Sequence, residues 1–348
     1  MAKKKVRIGQ TIALIPEAGS AIRPEWLLDG QSGNTNFPYS KYKALATVGE
    51  VDAKTKLGLT GYPDGQAAWL LDDNTVRVAY QSESYANVTG TRTPEPETYP
   101  RELKTGVTFT GSRIHTIDYA RDAFADFMGN DSAASDMVKG SGFLFNRAFN
   151  LFGKEVTPKN TDPADLAAKW GNQTLPSGEI VEFGTPLSDA DFFFHSFCGA
   201  WYEPANRYGE GQGFSDDIWL MAEEWDIGED NFAPGVAGEA VANETMGLAA
   251  MAVDVANEVA YSVPALGQTG YEKIAPLNTG ESDYVVVVTA GYNHGQDPAP
   301  LKSYVGRKGY DAEGNEITED HSERDQFLGR NGMLWGQLYG QALKNKHF

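Results

Sequence analysis

Short apolar runs that recur about every 8–15 residues, with turn-forming residues between them, constrain the fold of this chain more than any other feature. Ala67–Leu71 and Val76–Tyr80 flank the turn sequence Asp72-Asp73-Asn74 and are predicted to pair as antiparallel strands. The chain of 348 residues also contains Gly 38 and Pro 17, which favour many turns over long helices. The pattern predicts an all-β protein, either a sandwich, a barrel or a propeller.

Four further segments support the all-β class. Leu248–Val255 and Val259–Val263 are predicted to be strands joined by a turn at residues 256–258. Asp283–Thr289 is rich in β-branched residues and uninterrupted, so we expect a strand that is buried on both faces. Gly106–Tyr119 alternates between polar and apolar residues and predicts a hairpin or a long strand that bends at Gly111.

Helical spacing is confined to one part of the sequence. Phe124, Phe127 and Met128 recur at the period of a helix, and a second short helix is predicted over Pro163–Lys169. We therefore expect a single domain over residues 1–348 with a helical insertion at about 120–170. A strand-like segment at Val6–Ile15 precedes this pattern.

Glutamates at strand ends are the first candidates for a site. Ile218-Trp219-Leu220-Met221 is a short apolar run that fits a buried strand, with a helix as the alternative because the run is too short for its periodicity to decide. A strand would carry Glu223 and Glu224 to its end. Because side chains alternate along a strand, the two carboxylates would point to opposite faces, with one directed toward a metal or a substrate. Two solvated acids at a strand end remain the alternative. Glu83 follows the predicted strand Val76–Tyr80 in a comparable position.

Three other side chains carry reactive or charged groups. Arg113 and His115 lie two positions apart and so share one face of a strand, where solvent exposure is the default interpretation and anion contact is the alternative. Cys198 is the only cysteine and cannot form a disulfide within the chain. It is interpreted as a small buried apolar residue rather than as a nucleophile or a metal ligand.

The formal net charge of −19 limits the partners of this chain. Such a field repels phosphodiester backbones, which argues against nucleic acid, whereas it attracts cations such as Ca²⁺. No apolar stretch is long enough to predict a transmembrane segment. The sequence begins with a lysine cluster but lacks an uninterrupted apolar region, so it contains no clear signal peptide.

Nine short segments, taken in order, resemble the PhoX-type alkaline phosphatases and related bacterial β-propellers. These segments are G-Y-P-D-G at 61–65, the strand ending in Glu83, F-C-G-A at 197–200, M-A-E-E at 221–224, Y-S-V-P-A-L-G at 261–267, Tyr271-Glu272, D-Y-V-V-V-V-T at 283–289, S-Y-V-G-R-K at 303–308 and R-N-G-M-L-W-G-Q-L-Y-G at 330–340. The resemblance implies a secreted or surface-exposed propeller of six blades that binds calcium at the mouth of its channel.

The resemblance also implies a set of site residues. Glu83, Glu224 and Glu272 would hold Ca²⁺, with iron as a further metal, and Arg113 would stabilise the charge of a phosphate ester during hydrolysis. Two departures from the family's sequence pattern weaken the expectation that this chain is a phosphatase. The phosphatases' T-P-W-G-T-W…C-E-E signature is missing, and Thr289–Asn293 stands where relatives carry paired aspartates.

Two functions therefore stay open. The first is a calcium-binding propeller with a structural, scaffold or assembly role, and the second is a metal-dependent phosphomonoesterase. For the first function, Val6–Ile15 is predicted to pair either with the C-terminal blade of its own chain or with the edge of a neighbouring copy. Strand addition of the second kind would build an oligomer. A secreted or surface location follows from the resemblance, and the lack of a clear signal peptide leaves a cytoplasmic location open.

Overall fold

The structure is a computed structural model, and it describes thirteen segments of the chain: residues 7–10, 44–61, 63–83, 101–109, 112–130, 132–150, 153–158, 173–174, 180–181, 197–224, 249–268, 270–291 and 301–341. The predicted helix Pro163–Lys169 lies outside them. The chain forms two compact units, which we describe separately. The first consists of Met1–Gly61, Ala68–Ala79 and His115–Gly142, and the second of Tyr62–Ala67, Tyr80–Ile114 and Phe143–Phe348.

The described segments are built mainly from strands. In chain order the elements are β1 (Pro63–Asp72), β2 (Thr75–Ser82), β3 (Arg101–Glu102), β4 (Thr108–Phe109), β5 (Arg113–Ala120), α1 (Phe124–Gly129), β6 (Val138–Phe143), β7 (Arg147–Phe149), β8 (Gln173–Thr174), β9 (Ile180–Val181), β10 (Phe197–Glu203), β11 (Ile218–Glu223), β12 (Ala249–Asp254), β13 (Val259–Gln268), β14 (Tyr271–Leu277), β15 (Tyr284–Gly291), β16 (Lys302–Arg307), α2 (Glu323–Arg330) and β17 (Gly336–Gly340). This content confirms the all-β class.

The strands form three main open sheets. Their orders are β1-β2-β5-β6, β10-β11-β12-β13-β7 and β14-β15-β16-β17, and the pairs β3-β4 and β8-β9 make two small ribbons. Three sheets of four or five strands are compatible with radial blades. The propeller arrangement and its six blades stay a prediction.

In the first unit, β1 and β2 form the predicted hairpin around a turn at Asp73-Asn74. Arg77 on β2 and Asp118 on β5 make a bidentate ion pair, with Arg77 Nε 2.7 Å and Nη2 2.9 Å from the two carboxylate oxygens. Such paired contacts fix the register of neighbouring strands, because both donors of the guanidinium fork must face both oxygens.

The predicted strand Val6–Ile15 is described only over residues 7–10, and these do not form a strand. Arg7 makes a single parallel bridge with Val51, and the backbone then turns, with the N–H of Gln10 donating to the carbonyl of Arg7. The backbone N–H of Ser135 donates to the carbonyl of Gly9. Because backbone N–H and carbonyl groups of a turn bond to each other within the turn, residues 7–10 offer no extended strand edge to which another strand could be added.

The predicted helical insertion at about 120–170 is helical over only a short part of its described residues. A 3₁₀ turn at Arg121–Ala123 leads into α1, and a second 3₁₀ turn covers Ala134–Asp136. Beyond them, Val138–Phe143 and Arg147–Phe149 are strands. The residues with helical spacing, Phe124, Phe127 and Met128, lie in α1 as predicted. The later residues form strands, because β6 and β7 each pair with a neighbouring strand.

The second unit contains a large hydrophobic core within its described residues. Apolar side chains of β11, β12 and β13 pack with those of β14, β15 and β16, and α2 adds Phe327 and Leu328. The strands at 249–254 and 259–268 confirm the predicted hairpin. The strand at 284–291 is also confirmed, but it is buried on one face rather than on both, since Val285 and Val287 are buried whereas Val286 and Val288 are half-buried.

Helix α2 lies between β16 and β17 in the chain. Ser322 caps the helix, because its hydroxyl oxygen accepts a hydrogen bond from the backbone N–H of Asp325 at 3.1 Å. Serine at this position and acids in the first turn are the usual start of a helix. The helix then covers the sheet through the stacked rings of Phe327 and Tyr261, whose centroids are 4.8 Å apart.

Candidate functional site

The candidate site lies at one end of β11, a strand in the interior of its sheet. Ile218–Ala222 is fully buried between β10 and β12, as the short apolar run predicted. At the end of the strand Glu223 is buried, whereas Glu224 is half-buried. The two neighbouring carboxylates therefore meet different surroundings, as the alternation of side chains in a strand requires.

Two glycines bring other strands close to this end. Gly199 on β10 has a φ of +67°, and a Cβ atom at that position would lie only 2.6 Å from the carbonyl oxygen of Glu272 on β14. A Cβ at Gly65 would lie 2.0 Å from the Cβ of Ala200. Only residues without side chains allow such approaches. They place Asp64 and Glu272 beside Cys198.

The result is a cluster of one thiol and several carboxylates. The Sγ of Cys198 and carboxylate oxygens of Glu224 and Glu272 all lie within 4.8 Å of one another. The thiol of Cys198 also interacts with the carboxylate of Asp64 through a hydrogen bond. We call these four residues the acidic cluster. Cys198 is buried, Glu224 is half-buried and the other two carboxylates are exposed, so the cluster is open to solvent.

The electrostatics of the acidic cluster favour a cation. Burial raises the pKa of the Cys198 thiol, and the hydrogen bond to Asp64 and the negative charges of Asp64, Glu272 and Glu224 raise that pKa further. The thiol is therefore protonated at neutral pH and can donate to a carboxylate. Three carboxylates around one thiol repel each other, and a divalent ion would relieve this repulsion.

The donor set distinguishes between kinds of metal. Carboxylate oxygens are the preferred ligands of Ca²⁺, which takes six to eight oxygens at about 2.3–2.6 Å. A thiolate is preferred by softer ions such as Zn²⁺ and iron, but binding through sulfur would require the Cys198 thiol to lose its proton. The residues therefore fit a hard divalent cation held by oxygen, with the thiol beside it as a hydrogen-bond donor.

The structure brings together two of the three predicted metal ligands. Glu224 and Glu272 belong to the acidic cluster, whereas Glu83, which follows β2 and is half-buried, is not a member of it. Near Glu83 in the sequence, Gln81 has a structural role. Its side-chain amide oxygen, Oε1, accepts a hydrogen bond from the indole N–H of Trp219 at 3.0 Å, and both side chains are fully buried.

Arg113 is located in the interior of the protein. Its side chain is fully buried, and its backbone N–H and carbonyl both bond to the hydroxyl of Ser82 at 3.2 Å. His115 is buried as well. The default expectation of a solvent-exposed face for these two residues is therefore wrong. Contact between Arg113 and a phosphate ester would require the residues that cover the guanidinium group to move.

The sequence alone does not predict two members of the acidic cluster. The interpretation of Cys198 as a buried apolar residue describes its burial but not its neighbours. Asp64 belongs to the segment G-Y-P-D-G at 61–65, lies within β1 and is not among the predicted ligands. The signal that points to both is the glycine beside each of them, because an acid or a thiol next to a glycine at a strand end can be approached closely by another backbone.

No protein family model, no curated protein and no solved structure matches this chain. In the described part of the chain, none of the helices has the length and apolar character that crossing a membrane requires.

Proposed function

We propose that this chain is a secreted or surface-exposed, calcium-binding β-propeller of six blades, related to the PhoX-type proteins, with a structural or scaffold role. The observation that carries the calcium proposal is the acidic cluster. The sulfur of Cys198 and carboxylate oxygens of Glu224 and Glu272 lie within 4.8 Å of one another, and Glu272 is exposed to solvent. The burial of Arg113 supports a structural role over a catalytic one, because the residue proposed to act on phosphate has no exposed surface.

The proposed ion would stabilise the fold rather than react. Glu224 extends from β11, and Glu272 and Asp64 lie on β14 and β1. A cation shared by these carboxylates would link strands that are far apart in sequence. Binding that is confined to the folded state stabilises it by RT ln(1 + [L]/Kd), which is about 2.7 kcal/mol at a hundredfold excess of ligand over Kd.

Calcium titration of the metal-free protein by calorimetry tests the proposal. We expect one Ca²⁺ to bind, with an affinity that falls at least tenfold in Glu224→Gln and in Glu272→Gln, because each variant removes a charged ligand. Glu281→Gln is the matched control, since Glu281 is an exposed glutamate outside the acidic cluster. Equal calcium affinity in the wild type and all three variants would refute the proposed site.

Cys198→Ser separates oxygen coordination from sulfur coordination. If the ion is held by oxygens, this variant keeps its calcium affinity within about threefold, because the thiol serves only as a hydrogen-bond donor. Metal analysis of the purified protein provides the second readout. Iron in the wild type that is lost in Cys198→Ser would identify the cluster as an iron site and would contradict calcium as its resident ion.

A metal-dependent phosphomonoesterase is the second candidate. It is favoured by the exposure of Glu272 and Asp64, which leaves room beside the cluster for a small phosphate ester. Hydrolysis of p-nitrophenyl phosphate by the calcium- and iron-loaded protein tests it. Turnover that disappears in Glu224→Gln and persists in Glu281→Gln would establish the enzyme and displace the structural role.

A further inference from the structure

Two β-bulges meet at the acidic cluster. Between Cys198 and Trp201, β10 has one residue more than the paired part of β11. Between Tyr271 and Lys273, β14 has one residue more than the paired part of β15, and this extra residue is Glu272. A bulge interrupts the ladder of hydrogen bonds and redirects the side chains beside it. The positions of Cys198 and Glu272 therefore depend on irregular backbone.

The two bulges are in direct contact. A Cβ atom on Gly199 would lie 2.6 Å from the carbonyl oxygen of Glu272 and 3.0 Å from the Cα of Lys273. A Cβ atom on Gly65 would come within 2.0 Å of the Cβ of Ala200. The bulge of β10 is thus packed against both β1 and β14, and each of these strands carries a carboxylate of the acidic cluster.

Lys273 fastens the two bulges to each other. Its Nζ donates a hydrogen bond to the carbonyl oxygen of Ala200 at 2.8 Å and lies 5.7 Å from the centre of the Trp201 ring. Although Lys273 is exposed, its side chain contacts β10 instead of extending into water. Ordering a lysine side chain costs rotamer entropy, which the hydrogen bond and the contact with the indole ring offset. The bond also gives a partner to a carbonyl group at a bulge, where the ladder is interrupted.

The charge of Lys273 does not explain its place beside Glu272. A positive charge next to a cation site weakens binding of the cation, because like charges repel. The contribution of Lys273 to the acidic cluster is therefore geometric. Its hydrogen bond holds β10 and β14 at the separation that brings the Cys198 thiol and the Glu272 carboxylate together.

We propose that Lys273 is a positioning residue of the acidic cluster. By tying the carbonyl of Ala200 to β14, it keeps Cys198 and Glu272 in the arrangement that a bound ion requires. The apparent affinity of a site falls with the fraction of molecules in the binding-competent arrangement, so loosening this bond weakens calcium binding. The effect on calcium rests on the proposed function, whereas the positioning of the two bulges does not.

Calcium titration of the full-length protein by calorimetry tests the effect on affinity. Lys273→Met cannot donate the hydrogen bond, and we expect its calcium affinity to be about three- to tenfold lower, the factor that the loss of one hydrogen bond produces. Loss of the charge alone would have the opposite effect, because removing a positive charge strengthens binding of a cation. Lys273→Arg keeps a charged donor and should stay within about twofold of the wild type.

Lys308→Met is the matched control. The Nζ of Lys308 donates to the carbonyl oxygen of Gly211, also at 2.8 Å, and neither residue belongs to the acidic cluster. This variant loses the same kind of bond and the same charge, so it shares any general loss of stability, but its calcium affinity should be unchanged. Unchanged or tighter binding in Lys273→Met, or an equal fall in Lys308→Met, would overturn the role of Lys273.

Alkylation of Cys198 gives a second readout that needs no metal. Cys198 is the only cysteine and is buried, so its rate of reaction with iodoacetamide in EDTA reports how often the bulge of β10 opens. We expect this rate to be about three- to tenfold higher in Lys273→Met and unchanged in Lys273→Arg and Lys308→Met. A wild type that binds no calcium would refute the calcium proposal, and the alkylation rates would still decide whether Lys273 holds the bulges together. Equal rates in Lys273→Met and the wild type would overturn the positioning role.

Discussion

Replacing Gly199 with alanine is the sharpest perturbation of the acidic cluster, because this residue combines two constraints. Its φ of +67° lies in the left-handed region, and a Cβ would come within 2.6 Å of the Glu272 carbonyl oxygen, 2.9 Å of the Glu272 carbonyl carbon and 3.0 Å of the Cα of Lys273. All three atoms belong to the backbone of β14. A side-chain rotation cannot relieve the overlap, so the strand itself must move.

The size of the effect follows from these two constraints. The left-handed conformation costs an alanine about 1–2 kcal/mol relative to glycine. Forcing an extra methyl group into a packed contact adds about 1–3 kcal/mol. We therefore expect Gly199→Ala to lower the free energy of unfolding by about 2–5 kcal/mol. Movement of β14 also carries Glu272 away from Cys198, so calcium affinity should fall together with stability.

Gly280→Ala is the matched control. Gly280 has a φ of +72°, but a Cβ there would meet nothing within 4 Å, so this variant includes only the conformational cost of about 1–2 kcal/mol. Urea unfolding followed by tryptophan fluorescence reports on both variants, because Trp201 and Trp219 lie in the same unit as the two glycines. A Gly199→Ala midpoint equal to that of Gly280→Ala would refute the reasoning from backbone overlap.

Two further predictions concern the polar contacts of the second unit. In Trp219→Phe the buried side-chain amide oxygen of Gln81 loses its hydrogen-bond donor, so the free energy of unfolding should fall by about 2–4 kcal/mol. Adding Gln81→Leu should restore part of this loss. No restoration would contradict a role for the unpaired amide oxygen. Hydrogen bonds from Arg147 and Tyr261 hold the pKa of Glu323 below its ordinary value of 4.5. The ionised carboxylate therefore stabilises the fold above pH 4.5, and this stabilisation is lost as the pH falls through the lowered pKa. Urea midpoints of wild type and Glu323→Gln should accordingly differ at pH 7 and converge in acid, whereas a constant difference would show that the charge of Glu323 is not involved.

The parts of the fold that the sequence predicts are those determined by local pattern. β11 and the β12–β13 hairpin are recognisable because apolar runs and turn residues lie next to each other in the chain. The same holds for β15, where β-branched residues repeat. Its half-buried face could not be read from composition, because the extent of burial depends on what a neighbouring element covers.

The parts that the sequence does not predict depend on contacts between distant segments. β7 is only three residues long and becomes a strand because β13 pairs with it. The acidic cluster likewise depends on the meeting of Asp64, Cys198 and Glu272, which come from three different strands. Helix α2 is a different case, since the cap at Ser322 is a local signal that is present in the sequence.

The parallel pairing of β7 with β13 has a consequence for the order of folding. The amide of Asn146, next to β7, donates to the carboxylate of Glu258 across a separation of 112 residues. Closing a flexible loop of that length costs about 2 kcal/mol more than closing one of ten residues. The hairpin β12–β13 can form first, and β7 joins late. Until then one edge of β13 is unpaired and can recruit a strand from another chain, so the yield of refolding should fall as the protein concentration rises.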